Sequence, residues 1–78
     1  MLEAKVARLA ELAFSIREIT TADSPDLLKA IGKLNNVATI LPDNRLRQNL
    51  NMFVEALQRD NTHMANYFLG ELNDNKSI

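Results

Sequence analysis

The polar segment Arg59-Asp60-Asn61-Thr62-His63 interrupts a chain whose apolar residues otherwise recur at helical spacing. From Asn44 to about Leu72, those apolar residues share one arc of a helix, and the arc keeps its phase on both sides of the interruption. The residues of this arc are Leu46, Leu50, Phe53, Val54, Leu57, Met64, Phe68 and Leu72. The unbroken phase predicts a single helix of about 29 residues, roughly 43 Å long at 1.5 Å per residue.

A break at residues 60–62 is the alternative, and it would divide the chain into four short helices. Asp60, Asn61 and Thr62 are mediocre residues for a helix interior and good ones for a helix end, because their short polar side chains bond to free backbone groups there. Asn61 also lies inside the apolar arc. It therefore indicates either a helix end or a buried amide that fixes the register against a second copy of the chain.

The first helix is expected from Leu2 to about Thr20. Its apolar residues share one arc about 140° wide, and we expect this arc to face the core. The residues of the arc are Leu2, Val6, Leu9, Leu12, Ala13, Ile16 and Ile19. Phe14 lies outside the arc beside Ala7 and Ala10, which indicates either a single exposed ring or a seat for another helix.

Two prolines mark the ends of the second helix. Ser24 can cap a helix whose first residue is Pro25, where the missing N–H costs nothing. The apolar residues then keep helical spacing to about Ile40. Pro42 disfavours helical geometry in the residue before it, and Asp43 can cap the helix that follows.

The composition is that of one small globular domain. Of 78 residues, 46% are hydrophobic and 24% are charged, and the formal net charge is −1. We predict a single helical domain over residues 1–73 and a frayed polar tail over residues 74–78. The predicted fold class is all-α: a small three-helix bundle with a long third helix that assembles as an oligomer, with four short helices as the alternative.

Self-association is predicted from the size of the chain and from the length of the third helix. A domain this short usually needs a further source of stability besides its core, such as a disulfide or a second subunit. The sequence contains no cysteine for a disulfide. The first two helices are only about 24–28 Å long, so the last turns of a long third helix would extend beyond them. A second copy is then expected to cover the apolar side chains left in water. The predicted interface of this homodimer or higher oligomer contains Asn61, Met64, Phe68 and Leu72.

Catalysis is not predicted. The absence of cysteine excludes a thiol nucleophile, and a single histidine excludes a multi-histidine metal site within one chain. Asp60 and His63 have the spacing of half a helical carboxylate–histidine metal motif, but the further inward-facing carboxylates are missing. Glu11 and Glu18 lie opposite the apolar arc of the first helix and are expected to be hydrated. We therefore predict a protein that is not an enzyme and that uses neither a cofactor nor a metal.

A stripe of mixed chemistry flanks the apolar arc of the third segment. It combines a methionine, an aromatic ring, guanidinium groups and an amide, and several of these types are enriched in protein-binding surfaces. Its members are Arg45, Asn49, Met52, Ala56, Arg59, His63 and Tyr67. The stripe predicts a non-catalytic protein-binding module that regulates, inhibits or adapts a larger partner. The predicted partner-binding residues are Phe14, Met52, Arg59, His63 and Tyr67.

Two other functions stay open. A small anionic ligand or nucleotide could bind at a subunit junction. The side chains for this alternative are Arg45, Arg59, His63 and Tyr67. A nucleic-acid-binding regulator would use two basic pairs, Lys29 with Lys33 and Arg45 with Arg47. Each pair carries only two charges, too few for a strong phosphate footprint, so nucleic acid is not the expected partner.

The sequence shows no targeting signal. Charged residues at Glu3, Lys5, Arg8 and Glu11 interrupt the apolar run that a signal peptide needs. No run approaches the roughly 18 apolar residues of a membrane span. We therefore expect a cytoplasmic protein without a membrane partner.

Overall fold

Four α-helices make up the described part of the chain. The computed structural model describes residues 2–41 and 45–76, with side chains over residues 4–41 and 45–73. The helices are α1 (Leu2–Ile19), α2 (Pro25–Ile40), α3 (Arg45–Gln58) and α4 (Thr62–Lys76). The all-α class is confirmed, and the number of helices is that of the alternative. The prediction of one long third helix is wrong, because the chain turns after Gln58.

Asp60 turns the chain between α3 and α4. Its φ of 58° is the only positive φ of a non-glycine residue in the described chain, and aspartate tolerates this left-handed conformation better than most residues. The N–H of Asp60 donates to the carbonyl of Leu57 at 3.3 Å, and the N–H of Asn61 donates to the carbonyl of Ala56 at 2.9 Å. This pair of bonds is a Schellman motif, which satisfies free carbonyls at the end of α3.

Asn61 also begins α4. Its side-chain Oδ1 accepts a hydrogen bond from the N–H of Met64 at 3.2 Å, and its carbonyl accepts one from the N–H of Ala65 at 3.0 Å. Asn61 is therefore the N-cap of α4 as well as the last residue of the α3 motif. Of the two interpretations of this residue, the structure shows the helix end.

The turn folds α4 back along α3 and against α1. Leu72 is fully buried, and Met64 and Phe68 are half-buried against the core. The apolar arcs of α3 and α4 share a phase because both helices face one core, although they are separate helices. The exposed apolar strip that a long third helix would present does not form.

The buried face of the first helix is rotated from the expected one, although Val6 and Ala13 of the expected arc are buried. The fully buried residues of α1 are Val6, Ala7, Ala10 and Ala13. Phe14 packs half-buried against the core, whereas Leu12 and Ile19 are 54% and 84% exposed. The reason is α4, which returns to the alanine side of α1, where small side chains allow two helices to approach closely. The expected burial is wrong for Leu12 and Ile19, and Phe14 helps to seat a helix.

The second helix begins and ends where predicted. Ser24 holds the N-cap position and its carbonyl accepts a hydrogen bond from the N–H of Leu28 at 2.9 Å, but its side chain makes no cap hydrogen bond. Leu41 is extended, with φ −80° and ψ 146°, as expected before a proline. The predicted cap at Asp43 lies outside the described residues. The side chains of the predicted tail, residues 74–78, lie outside them too, although α4 is helical to residue 76.

The helices form a bundle with four corners. Each helix packs against the next one along the chain, α4 packs against α1, and α1 also touches α3 across the diagonal. In the described residues α2 and α4 do not touch, so they occupy opposite corners. The α1–α2 edge and the α3–α4 edge therefore lie on opposite sides of the bundle.

Asn61→Ala is expected to lower the free energy of unfolding by about 1 kcal/mol, since loss of an N-cap side chain typically has this effect. Urea unfolding followed by far-ultraviolet circular dichroism measures the change. Asn51→Ala is the matched control, because Asn51 is exposed inside α3 and alanine is the better helix former there. Equal losses from the two substitutions would contradict the capping role of Asn61.

Ala10→Leu is expected to lower the free energy of unfolding by about 1–3 kcal/mol, because Ala10 is fully buried on the face of α1 that the other helices cover. The same urea experiment applies. Ser15→Leu places the same side chain at an exposed position of α1 and is expected to stay within about 0.5 kcal/mol of the parent chain. If both variants are equally stable, the alanine face is not packed as described.

Candidate partner-binding surfaces

The α3–α4 edge carries four of the five residues predicted to bind a partner. Met52 and Tyr67 are 44% and 57% exposed, and Arg59 and His63 are also exposed. A groove of about 150 Å³ runs between the two helices. Its lining consists of Met52, Glu55, Ala56, Arg59, Asn61, Met64 and Phe68. The structure thus brings Met52 and Arg59 together with apolar side chains of α4.

His63 and Tyr67 lie one helical turn apart on α4, outside the lining of this groove. The ring of Tyr67 packs edge-to-face against Phe68, with ring centroids 5.0 Å apart and an interplanar angle of 81°. This contact extends the apolar surface from the groove onto the exposed side of α4, because the Tyr67 ring stays accessible to a partner. His63 is not connected to the groove in this way.

Ion pairs and hydrogen bonds surround the α3–α4 groove. The guanidinium of Arg59 lies 3.1 Å from the carboxylate of Glu55, one turn earlier in α3. The hydroxyl of Tyr67 donates to the carboxylate of Glu71 at 3.1 Å. This hydrogen bond raises the pKa of Tyr67, and the smaller opposing effect comes from Arg45. The phenol is therefore neutral and acts as a hydrogen-bond donor at physiological pH.

Phe14 is separate from these residues. It lines a cavity of about 230 Å³ between α1 and the α3–α4 turn. The sequence grouped Phe14 with the partner-binding residues because its position on α1 faced away from the apolar arc. Since α4 packs on that side, Phe14 contributes to the core and only partly to the surface.

Arg17 lines the same cavity, and the sequence reasoning missed it. Its guanidinium forms an ion pair with Asp60, and Nη1 donates to the carbonyl of Thr20 at 2.9 Å. The side chain of Arg17 is 19% exposed and that of Asp60 is 62% exposed, and the Nε of Arg17 is buried without a partner. The pair connects the end of α1 to the α3–α4 turn. Periodicity could not reveal it, because the two residues are far apart in the sequence.

The residues of the predicted oligomer interface do not form one exposed patch. Asn61 is exposed and caps α4, whereas Leu72 is fully buried. Met64 and Phe68 are half-buried and belong to the α3–α4 groove. The interface was expected because a long third helix would leave Met64, Phe68 and Leu72 exposed to water. In the structure Leu72 lies in the core, and Met64 and Phe68 pack against the core.

A second groove follows the α1–α2 edge, where no protein-binding site was predicted. It encloses about 240 Å³. Its lining consists of Leu9, Leu12, Ile16, Ile19, Thr20, Asp26, Lys29, Ala30 and Lys33. The apolar members have the spacing of a core-facing arc, so the sequence placed them inside. They are accessible because α1 turns its alanine face to the core.

Three of the four basic residues considered for nucleic acid, Lys29, Lys33 and Arg45, lie on two different edges. Lys29 and Lys33 line the α1–α2 groove. Arg45 begins α3 and affects the pKa of Tyr67, which puts it on the α3–α4 edge. The two pairs therefore do not combine into one phosphate-binding face.

The spacing of Asp60 and His63 does not produce a metal-like pair on one helix. Asp60 lies in the turn with its carboxylate on Arg17, and His63 lies in the first turn of α4. Among the described residues, no group of three or more His, Cys, Asp or Glu side chains could hold a metal ion. In the same part of the chain, every helix is too short or too polar to cross a membrane.

The fold and its surfaces define the class of protein: an all-α domain of four helices with apolar grooves on two opposite edges. Comparisons with known protein families, with curated proteins and with solved structures find no match.

Arg17→Met and Asp60→Asn are each expected to destabilise the chain, and the double variant is expected to lose about 0.5–1 kcal/mol less than the sum of the two. Methionine keeps the apolar stem of Arg17, and asparagine keeps the tolerance for a left-handed φ. Urea unfolding of the four chains measures this coupling energy. A coupling that disappears in added sodium chloride is consistent with a partly exposed ion pair. Additive effects at low salt would show that the pair contributes nothing.

Proposed function

We propose that this protein is a non-catalytic protein-binding module that regulates, inhibits or adapts a larger partner. The observation that carries the proposal is the α3–α4 groove, where the exposed Met52 lies beside the half-buried Met64 and Phe68. The exposed ring of Tyr67 packs on Phe68 at the border of this groove. Methionine adapts its shape to a partner, and tyrosine offers a large rigid ring with a polar end. Methionine and aromatic residues are enriched at protein interfaces.

The polar groups of this edge favour a protein over a small anion. Arg59 is already paired with Glu55, and Tyr67 donates to Glu71. An anionic ligand would meet these two carboxylates together with the cations, and like charges disfavour binding. A rim of such groups around an apolar centre is instead the usual anatomy of a protein interface.

The proposal does not depend on a homo-oligomer. Self-association was expected from Met64, Phe68 and Leu72 in water, and these side chains are packed in the chain. The surface that supports partner binding is available on a single copy. The cytoplasmic location expected from the sequence is part of the same proposal.

Site-specific photocrosslinking in cells that naturally express the chain tests this function. A benzophenone amino acid at position 52 or 67 is expected to give a discrete adduct larger than the chain, because both positions border the proposed interface. The matched control position is Asn35, which is exposed on α2 away from both grooves. The adduct from position 67 is further expected to weaken with Met52→Glu, which places a charge in the apolar centre.

Identical adducts from positions 35, 52 and 67, or no adduct from 52 and 67, would contradict the proposal. An adduct at twice the mass of the chain would instead identify a second copy as the partner. Circular dichroism of the Met52→Glu chain checks that its helicity matches the parent, as expected for an exposed position.

A further inference from the structure

We propose that the α1–α2 groove is a second docking site, and that it binds an amphipathic helix with acidic flanks from another protein. This inference goes beyond the function proposed for the α3–α4 edge, because it uses different helices and shares no residue with that edge. It would make the chain an adaptor with two binding sites.

The apolar part of the groove is large for so small a chain. Ile19 is 84% exposed and Leu12 is 54% exposed, and both lie on the same wall of α1. Leu9 and Ile16 are half-buried beside them, and Ala30 lines the side of α2. A contiguous set of branched side chains in water, framed by polar residues, is typical of an interaction site.

The dimensions of the groove fit a helix. From Leu9 to Ile19 the wall extends for about 15 Å along α1, which is close to three helical turns. A partner helix that presents apolar side chains at positions i, i+3 or i+4, and i+7 would cover this distance. The small side chain of Ala30 leaves room on the α2 side for such a helix to approach.

The charges on the rim determine the chemistry of the partner. Lys29 and Lys33 lie one turn apart along the α2 side of the groove, against one carboxylate at Asp26. Neither lysine forms an ion pair within the described residues. At helical spacing, Lys5 and Arg8 continue the groove side of α1 before Leu12, and both are exposed. The lining therefore carries two cations and one anion, and Lys5 and Arg8 add positive charge along α1 beyond the lining, so acidic flanks on the partner complement this edge.

A second copy of the chain does not fit this surface. In a two-fold pairing of groove against groove, two surfaces of the same net positive charge would meet, and the repulsion would oppose association. A flat bilayer does not match the shape either, because the apolar side chains line a hollow whose rim carries Lys29 and Lys33. An acidic helix satisfies both the shape and the charge.

Fluorescence anisotropy with two designed helical peptides tests the proposal on the full chain. Both peptides carry leucine at positions i, i+3 or i+4, and i+7; one has glutamate and the other has lysine at the flanking positions. We expect the acidic peptide to bind at least about tenfold more tightly than the basic peptide, since several ion pairs of modest strength separate them. Its affinity is expected to fall with added salt.

Variants of the groove make the test specific. Ile19→Ser is expected to weaken binding of the acidic peptide by about tenfold, whereas Leu28→Ser changes a side chain 50% exposed on α2 outside the groove and is the matched control. The double variant Lys29→Glu, Lys33→Glu is expected to reverse the preference toward the basic peptide. Circular dichroism confirms that these surface variants keep the parent helicity.

Three results would overturn the proposal. The first is equal affinity for the two peptides, and the second is an equal effect of Ile19→Ser and Leu28→Ser. The third is a failure of both peptides to bind while the chain floats with vesicles of phosphatidylcholine and phosphatidylserine in an Ile19-dependent manner, which would identify a lipid surface as the occupant. None of these results bears on the α3–α4 edge, because crosslinking at positions 52 and 67 tests that site separately.

Discussion

Two adjacent residues, Asp60 in a left-handed conformation and Asn61 with its backbone and side chain both bonded, reverse the chain between α3 and α4. A residue in this conformation cannot continue a right-handed helix, so the reversal is built into the turn. Arg17 adds a contact from outside the hairpin, because its ion pair with Asp60 joins the turn to the end of α1. The position of α4 follows from these local interactions.

The return of α4 changes what α1 presents to water. Leu72 becomes fully buried, and the alanine face of α1 becomes an inner face because α4 packs against it. The three neighbours of α1 lie on one side of it, so they cannot cover the whole circumference of this helix. Turning the alanines inward therefore moves Leu12 and Ile19 outward, and the α1–α2 groove is a direct consequence of the turn at Asp60.

Local signals allowed much of the fold to be predicted from the sequence. The bounds of α2 follow from Ser24 and Pro25 at one end and Pro42 after the other, and the buried arc of α3 follows from its periodicity. The continuity of the third helix was predicted wrongly because two antiparallel helices that face one core can share a phase across a short turn. The poor helix propensity of Asp60-Asn61-Thr62 was the better signal.

The surfaces could be predicted only in part, because they depend on contacts between distant segments. Exposure of Met52 and Tyr67 follows from their place beside the apolar arc, and it holds whether or not the chain turns. The groove that Met52 lines together with Met64 and Phe68 exists only because α4 folds back. The Arg17–Asp60 pair and the exposed wall of α1 carry no local signal, since leucine and isoleucine at helical spacing look the same whether a neighbour covers them or not.

The size of the chain connects the turn to the proposed adaptor role. A domain of this length buries only about 60% of the surface of its unfolded chain, and it has no disulfide to compensate. The apolar wall of α1 that contains Leu12 and Ile19 is surface that the fold leaves exposed. An acidic partner helix in the α1–α2 groove would bury this surface, and binding to the folded state alone would raise its stability. A partner bound at the α1–α2 edge would supply this additional stability and would leave the opposite edge free for a second protein.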